Sequence, residues 1–268
     1  MFPSIRCGVS CWLAVLVLIL AAIPKALGSS STDAVTVHPG FTTRQIRAAI
    51  RGVDGRELAL TGETAKPVSL AGGDFNRDGF PDLVAGYAVN DRGLLTVHMA
   101  SKEAFAPQSS QTIRAIAQGE FPPAFAGTST AIPIPVGPDI LEVGDFNGDG
   151  NVDILFAAQG GDHLYILPGD GSGNFGAPRV LSLPGRITAL TTATFGIRGS
   201  GANVVVGVLN GSGATLLVYC QSLTASPTSY AFGSAIDSLA IGDLDGDQYR
   251  DVAIAAGGRV YILGNSGF

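Results

Sequence analysis

Three short stretches of this sequence place oxygen-bearing side chains at one common spacing. They read Asp74-Phe75-Asn76-Arg77-Asp78-Gly79-Phe80-Pro81-Asp82, Asp145-Phe146-Asn147-Gly148-Asp149-Gly150-Asn151-Val152-Asp153 and Asp243-Leu244-Asp245-Gly246-Asp247-Gln248-Tyr249-Arg250-Asp251. Positions one, three, five and nine are Asp74, Asn76, Asp78 and Asp82 in loop one. They are Asp145, Asn147, Asp149 and Asp153 in loop two, and Asp243, Asp245, Asp247 and Asp251 in loop three. Alternating oxygen donors closed by a carboxylate suit a hard cation that takes six to eight oxygens at about 2.3–2.6 Å. Calcium is the expected ion, about three of them in a structural role. Ten of the 22 acidic residues lie in these loops. Carboxylates crowded in this way repel one another unless a cation sits among them.

The start of each loop matches an EF-hand, but the end does not. An EF-hand needs a bidentate Glu at position twelve and flanking helices, whereas position twelve here is Ala85, Phe156 and Ile254. Apolar runs flank each loop instead: Val68–Ala71 and Leu83–Ala85, Ile140–Val143 and Ile154–Ala157, Ser238–Ile241 and Val252–Ala255. Runs of this length bounded by Gly and Asp read as strands, so each loop is expected to join a hairpin.

Further strand-like runs follow at Leu94–Met99, His163–Leu167 and Arg259–Leu263, and a fourth at Arg179–Leu183. The repeating unit is four strands. Between the second and third loops a degenerate unit fits, with strands at 187–194, 203–208 and 215–220. Its loop at 195–202 has no carboxylate, so no metal is expected there. The first unit carries an insertion, read as an irregular loop over 118–139. Four-stranded units repeating every 40–50 residues suggest propeller blades, whose two apolar faces are buried by radial stacking. The expectation is an all-β fold, a β-propeller of four-stranded blades with about four visible. The blades fall at about 68–139, 140–186, 187–236 and an incomplete 237–268. Residues 29–67 are an N-terminal segment, partly disordered or a worn blade. Within it, 42–53 reads as a short helix or worn strand, and 56–60 is a candidate for the missing strand of the last blade. Otherwise the chain is a fragment or an open arc.

These residues resemble the FG-GAP/VCBS repeats of integrin α-subunit β-propellers and many exported bacterial proteins. Gly144–Leu155 and Leu164–Phe175 carry the likeness best, and Gly73–Val84 and Gly242–Ile254 also fit. The resemblance implies calcium in the turn between the first and second strands of a blade, held by the side chains named above. It also implies one backbone carbonyl ligand per loop, from Phe80, Asn151 and Tyr249. Loop three departs from the pattern with Gln248 where the others have Gly79 and Gly150. A left-handed backbone there would cost Gln about 1 kcal/mol relative to Gly.

Outside the repeats, residues 1–28 read as a secretory signal peptide. Arg6 opens it, an apolar stretch runs from Trp12 to Ile23, and Ala26-Leu27-Gly28 offers small residues for cleavage before Ser29. An uncleaved anchor is the rival reading. No membrane span is expected after its removal, and the expected location is secreted, cell-surface or periplasmic. Without it, 14 basic residues face 22 acidic ones, a net of −8. An acidic chain without a basic cluster argues against nucleic acid and anionic lipid. Cys220 alone remains, and it reads as a buried, inert thiol.

No phosphate loop, nucleophile elbow or Cys–His pair is present, and His38, His98 and His163 are scattered. Gly169–Gly176 reads as a turn. The expected role is adhesion or interaction with a protein or glycan ligand, and not catalysis. The alternative is a carbohydrate-active or other hydrolytic or lyase enzyme with its site on one propeller face.

Overall fold

The computed structural model describes residues 49–52, 65–193 and 201–265, all within one compact unit, Ile46–Phe268. Strands β1 (Ala49–Gly52), β2 (Lys66–Gly73), β3 (Asp82–Val89), β4 (Arg92–His98) and β5 (Thr128–Ile134) form the first sheet, in the order β1-β5-β4-β3-β2. The second holds β6 (Ile140–Gly144), β7 (Asp153–Ala157), β8 (His163–Leu167) and β9 (Arg179–Ser182). The third holds β10 (Arg186–Ala193), β11 (Asn203–Asn210), β12 (Gly213–Tyr219) and β13 (Thr228–Phe232). The fourth has three strands, β14 (Ile236–Gly242), β15 (Asp251–Ala256) and β16 (Arg259–Leu263). Consecutive strands in a sheet pair antiparallel, and β1 alone pairs parallel, with β5. This is the meander of propeller blades, and the chain is nearly all-β.

The continuous apolar runs follow from sheets buried on both faces. Strand side chains alternate between faces, so a strand with neighbours on both sides has no position to give to water. In β7, Ile154 and Phe156 join Phe75, Val84 and Leu95 in the core between sheets one and two. Leu155 and Ala157 join Val204, Val206 and Leu217 in the core between sheets two and three. Strand β11 divides the same way: Val204, Val206 and Val208 face sheet two, and Val205 packs with Val252 and Ile254 of sheet four. Each fully buried side chain of this kind is worth about 1.5–3 kcal/mol of transfer free energy.

The structure corrects three expectations. The segment 118–139 is not an irregular loop, because β5 runs through it. Its alternating burial, with Ser129, Ala131 and Ile134 inside, reads as a strand despite Pro133. Pro133 is tolerated because β1 pairs β5 only over Thr128–Ala131, so its missing N–H falls past that ladder. The insertion lies earlier and contains two short helices, α1 (Lys102–Phe105) and α2 (Ser110–Ala117). Second, the first sheet has five strands instead of four, because residues 49–52 add an edge. Third, Cys220 is exposed: β12 ends at Tyr219, and Gln221 turns the chain at φ 61°. Residues 56–60, 195–200 and His38 lie outside the described residues.

Candidate metal centres

The acidic loops span the turns β2–β3, β6–β7 and β14–β15, and the registers coincide. Gly73 pairs with Asp82, Gly144 with Asp153 and Gly242 with Asp251. Position nine therefore begins the second strand in all three. Its carboxylate then serves as a backbone clamp. Asp82 Oδ2 accepts from the Phe75 N–H (2.9 Å), Asp153 Oδ2 from Phe146 (3.0 Å) and Asp251 Oδ2 from Leu244 (2.9 Å). The other oxygen accepts an N–H just beyond the third strand: Ala100 (2.7 Å), Gly169 (2.9 Å) and Asn265 (2.9 Å). One carboxylate thus ties three strands of its sheet, and no side-chain pattern signals these three distant donors. All three carboxylates are buried, at 2%, 0% and 1% exposure.

Position one fixes the other half of the loop. Asp74 accepts from the N–H groups of Asp78 and Gly79, Asp145 from Gly148, Asp149 and Gly150, and Asp243 from Gly246 and Gln248. Positions three and five accept N–H groups two residues on. These bends require left-handed residues at positions four and six. Gly148, Gly150 and Gly246 supply them at φ 82–85°, and Gly79 at 87°. Gln248 stands at φ 74°, the strained conformation anticipated from its place in the loop. Arg77 at φ 56° is a second such case, missed in the sequence although Gly148 and Gly246 occupy its position.

The donor sets fit a hard cation. In loop two the neutral Asn147 amide donates its N–H groups to Asp149 Oδ2 (3.0 Å) and Asp153 Oδ1 (3.3 Å), so one donor reaches positions five and nine together. In loop one Asn76 Nδ2 donates to Asp78 Oδ2 at 3.1 Å. Loop three has Asp245 in place of that amide. Carboxylate oxygens of Asp243, Asp245 and Asp247 lie within 4.8 Å of one another, all exposed.

Proton affinities follow the surroundings. Burial, reinforced by the charges of Asp149 and Asp145, raises Asp153 to about 6 against the pull of its two N–H donors. Burial raises Asp82 as well. Asp251 is lowered, chiefly by the Asn265 and Leu244 N–H groups. Its own loop covers it, but little protein surrounds it further out. Asp149 is lowered first by the Asn151 N–H.

Position two anchors loops one and two in the core. Phe75 and Phe146 are buried at 1% and 0% exposure. Phe75 packs into the core shared with sheet two, and Phe146 into that shared with sheet three. Leu244, at the same position, is 51% exposed, and Val260 and Ile262 of β16 are exposed with it. Around loop one, Lys102 of α1 stands 3.8 Å from Asp78, and Phe105 stacks on Phe80 at 5.4 Å.

The two described histidines, His98 and His163, are structural or peripheral. His98 is buried and bonded to Thr96 and Ser129. His163 pairs with Asp162. A groove beside loop two is lined by Val143, Asp145, Asp149 and Thr192, and its titratable groups already belong to the loop.

Residues 67–98 match the FG-GAP repeat and residues 145–196 the FG-GAP-like repeat. These two stretches carry FG-GAP-type repeats. No curated protein matches the sequence. Among solved structures, the chain is similar to BBS1N in complex with ARL6DN, in a mercury-soaked and a lead-soaked crystal. Identity is 16% and 18%, with a TM-score of 0.44 for both. The match covers 77% of this chain and 54% and 52% of theirs, so the chain spans about half the length of these solved chains. Among the described residues, no helix is long and apolar enough to cross a membrane.

Proposed function

We propose that this chain is an exported interaction module whose FG-GAP blades are stiffened by about three calcium ions. The observation that carries the reading is the common hydrogen-bond frame of the three loops. The proposed side-chain ligands are Asp74, Asn76, Asp78 and Asp82, then Asp145, Asn147, Asp149 and Asp153, then Asp243, Asp245, Asp247 and Asp251, and in loop three the carboxylates of Asp243, Asp245 and Asp247 lie within 4.8 Å of one another. The carbonyls of Phe80, Asn151 and Tyr249 complete the proposed sets. A bound ion supplies charge neutralisation inside each loop. The residues do the rest: position nine clamps three strands, position two anchors loops one and two between sheets, and positions one to five present the oxygens.

FG-GAP repeats serve generally as interaction modules and not as catalysts. The insertion offers exposed Phe105, Ile113 and Phe121 as contact groups. The ligand class is protein or glycan at the cell surface. Calorimetric titration of the mature chain with calcium chloride tests the core of this reading. Three ions and a large rise in melting temperature are expected, and Asp149→Ala should remove one ion. Unchanged stoichiometry in that variant overturns the ligand assignment. N-terminal sequencing of protein recovered outside the cytoplasm should begin at Ser29, and an intact start at Met1 overturns the signal assignment.

A further inference from the structure

Loops one and two touch each other through Arg77. Its guanidinium donates to the Gly150 carbonyl in loop two, 73 positions along the chain. The residue sits at φ 56°, where the other loops use glycine, so an unfavourable backbone is retained where the side chain makes a bridge between sheets. The contact is part of a wider seam. The turn 169–176 of sheet two lies over loop one, with the Gly173 N–H donating to the Phe75 carbonyl at 3.0 Å. Phe175 meets Phe75 edge-on, ring centroids 5.3 Å apart. A Cβ on Gly171 would come within 2.5 Å of Asn151 Oδ1 and 3.2 Å of Arg77 Nε, so the three residues fill one junction. The carbonyl of position six in loop two, next to the residue proposed to give its backbone ligand, is therefore held by loop one.

We infer that loops one and two bind their ions as a positively coupled pair, with Arg77 as the positioning residue that links them, while loop three binds independently. The inference rests on the proposed calcium role. Filling loop one fixes the bend that carries Arg77, and Arg77 then fixes the Gly150–Asn151 backbone before its own ion arrives. Because the guanidinium is exposed, its repulsion toward a second cation is screened by water, and the positional effect dominates. Coupling between two binding equilibria is reciprocal, and typical values are about fivefold or more.

The test is a calcium chloride titration of the full chain followed by amide NMR. The Gly79, Gly150 and Gln248 amides each bond the first aspartate of their own loop, and so report the three sites separately. Asp74→Ala, which disables loop one, should raise the loop-two midpoint at least about fivefold and leave loop three unchanged. Asp145→Ala should raise the loop-one midpoint by the same factor. Arg77→Gly suits the left-handed backbone and will fold. It should weaken loop two with loop one still occupied, and Arg77→Lys should fail to restore the affinity. A loop-two midpoint within about twofold of the parent in both Asp74→Ala and Arg77→Gly overturns the coupling. If calcium moves none of the three reporters, the proposed calcium role fails instead.

Discussion

Loop two and loop three are built on one hydrogen-bond frame and set in opposite surroundings. Loop two has glycine at both left-handed positions, an amide among its carboxylates and Phe146 sealed under sheet three. Loop three has Gln248 in a left-handed position, a fourth aspartate instead of the amide, and Leu244 open to water. In the first, packing fixes the loop and burial works against its charges. In the second, crowded charge faces solvent and little packing fixes anything. The same residue pattern thus makes loop two a joint between sheets. On the proposed calcium reading, loop three depends on its ion.

The difference can be broken in four experiments. Removing calcium has the largest expected effect. A site held at a hundredfold its dissociation constant stabilises by about 2.7 kcal/mol, so a chelator should lower the melting temperature strongly. Amide exchange should then accelerate first in β14 and β15 and only later in β6 and β7. Next come the position-nine carboxylates. Asp153→Ala leaves the Phe146 and Gly169 N–H groups buried without partners, at roughly 1–3 kcal/mol each. Asp251→Ala, in its thinner surroundings, should cost about half as much in a urea melt. Equal losses would erase the contrast.

The third experiment uses pH. The Asp153 pKa is raised to about 6, so the native state holds its proton more tightly than the unfolded chain. In calcium-free buffer the stability this brings is fully present below about pH 4, and is lost as pH rises through about 6. Asp251 is lowered, so its contribution is present above the ordinary carboxylate range and fades as pH falls. A ligand carboxylate must also be ionised to bind. Calcium affinity at loop two should therefore drop between pH 7 and 5.5 while loop three holds, and Asp153→Asn should flatten the calcium-free profile. The smallest effect is Gln248→Gly. It relieves the left-handed strain and should stabilise loop three by up to about 1 kcal/mol, read as a small rise in melting temperature.

Much of this architecture was legible in the residues. Asp-closed loops between apolar runs placed the hairpins, and Gln248 announced its own strain because two glycines stood at its position. Strand β5 was not legible, since Pro133 reads as a breaker and only the short reach of β1 makes it harmless. The clamps from Ala100, Gly169 and Asn265 were hidden for another reason. Backbone N–H groups carry no side-chain signature, and their partners lie 14 to 18 residues away. Arg77 left a readable trace, a large residue at a glycine position, but its partner in another blade emerges only from the stacking of the sheets.

The outer face of sheet four has a consequence for handling the protein. Leu244, Val260 and Ile262 leave a greasy flank beside β16, which among the described residues pairs only with β15, the kind of surface that invites strand-to-strand pairing. Sulfate strengthens apolar burial, so purified material will self-associate in ammonium sulfate at concentrations that leave the interior joints untouched. A charged residue in place of Val260 would keep it in solution.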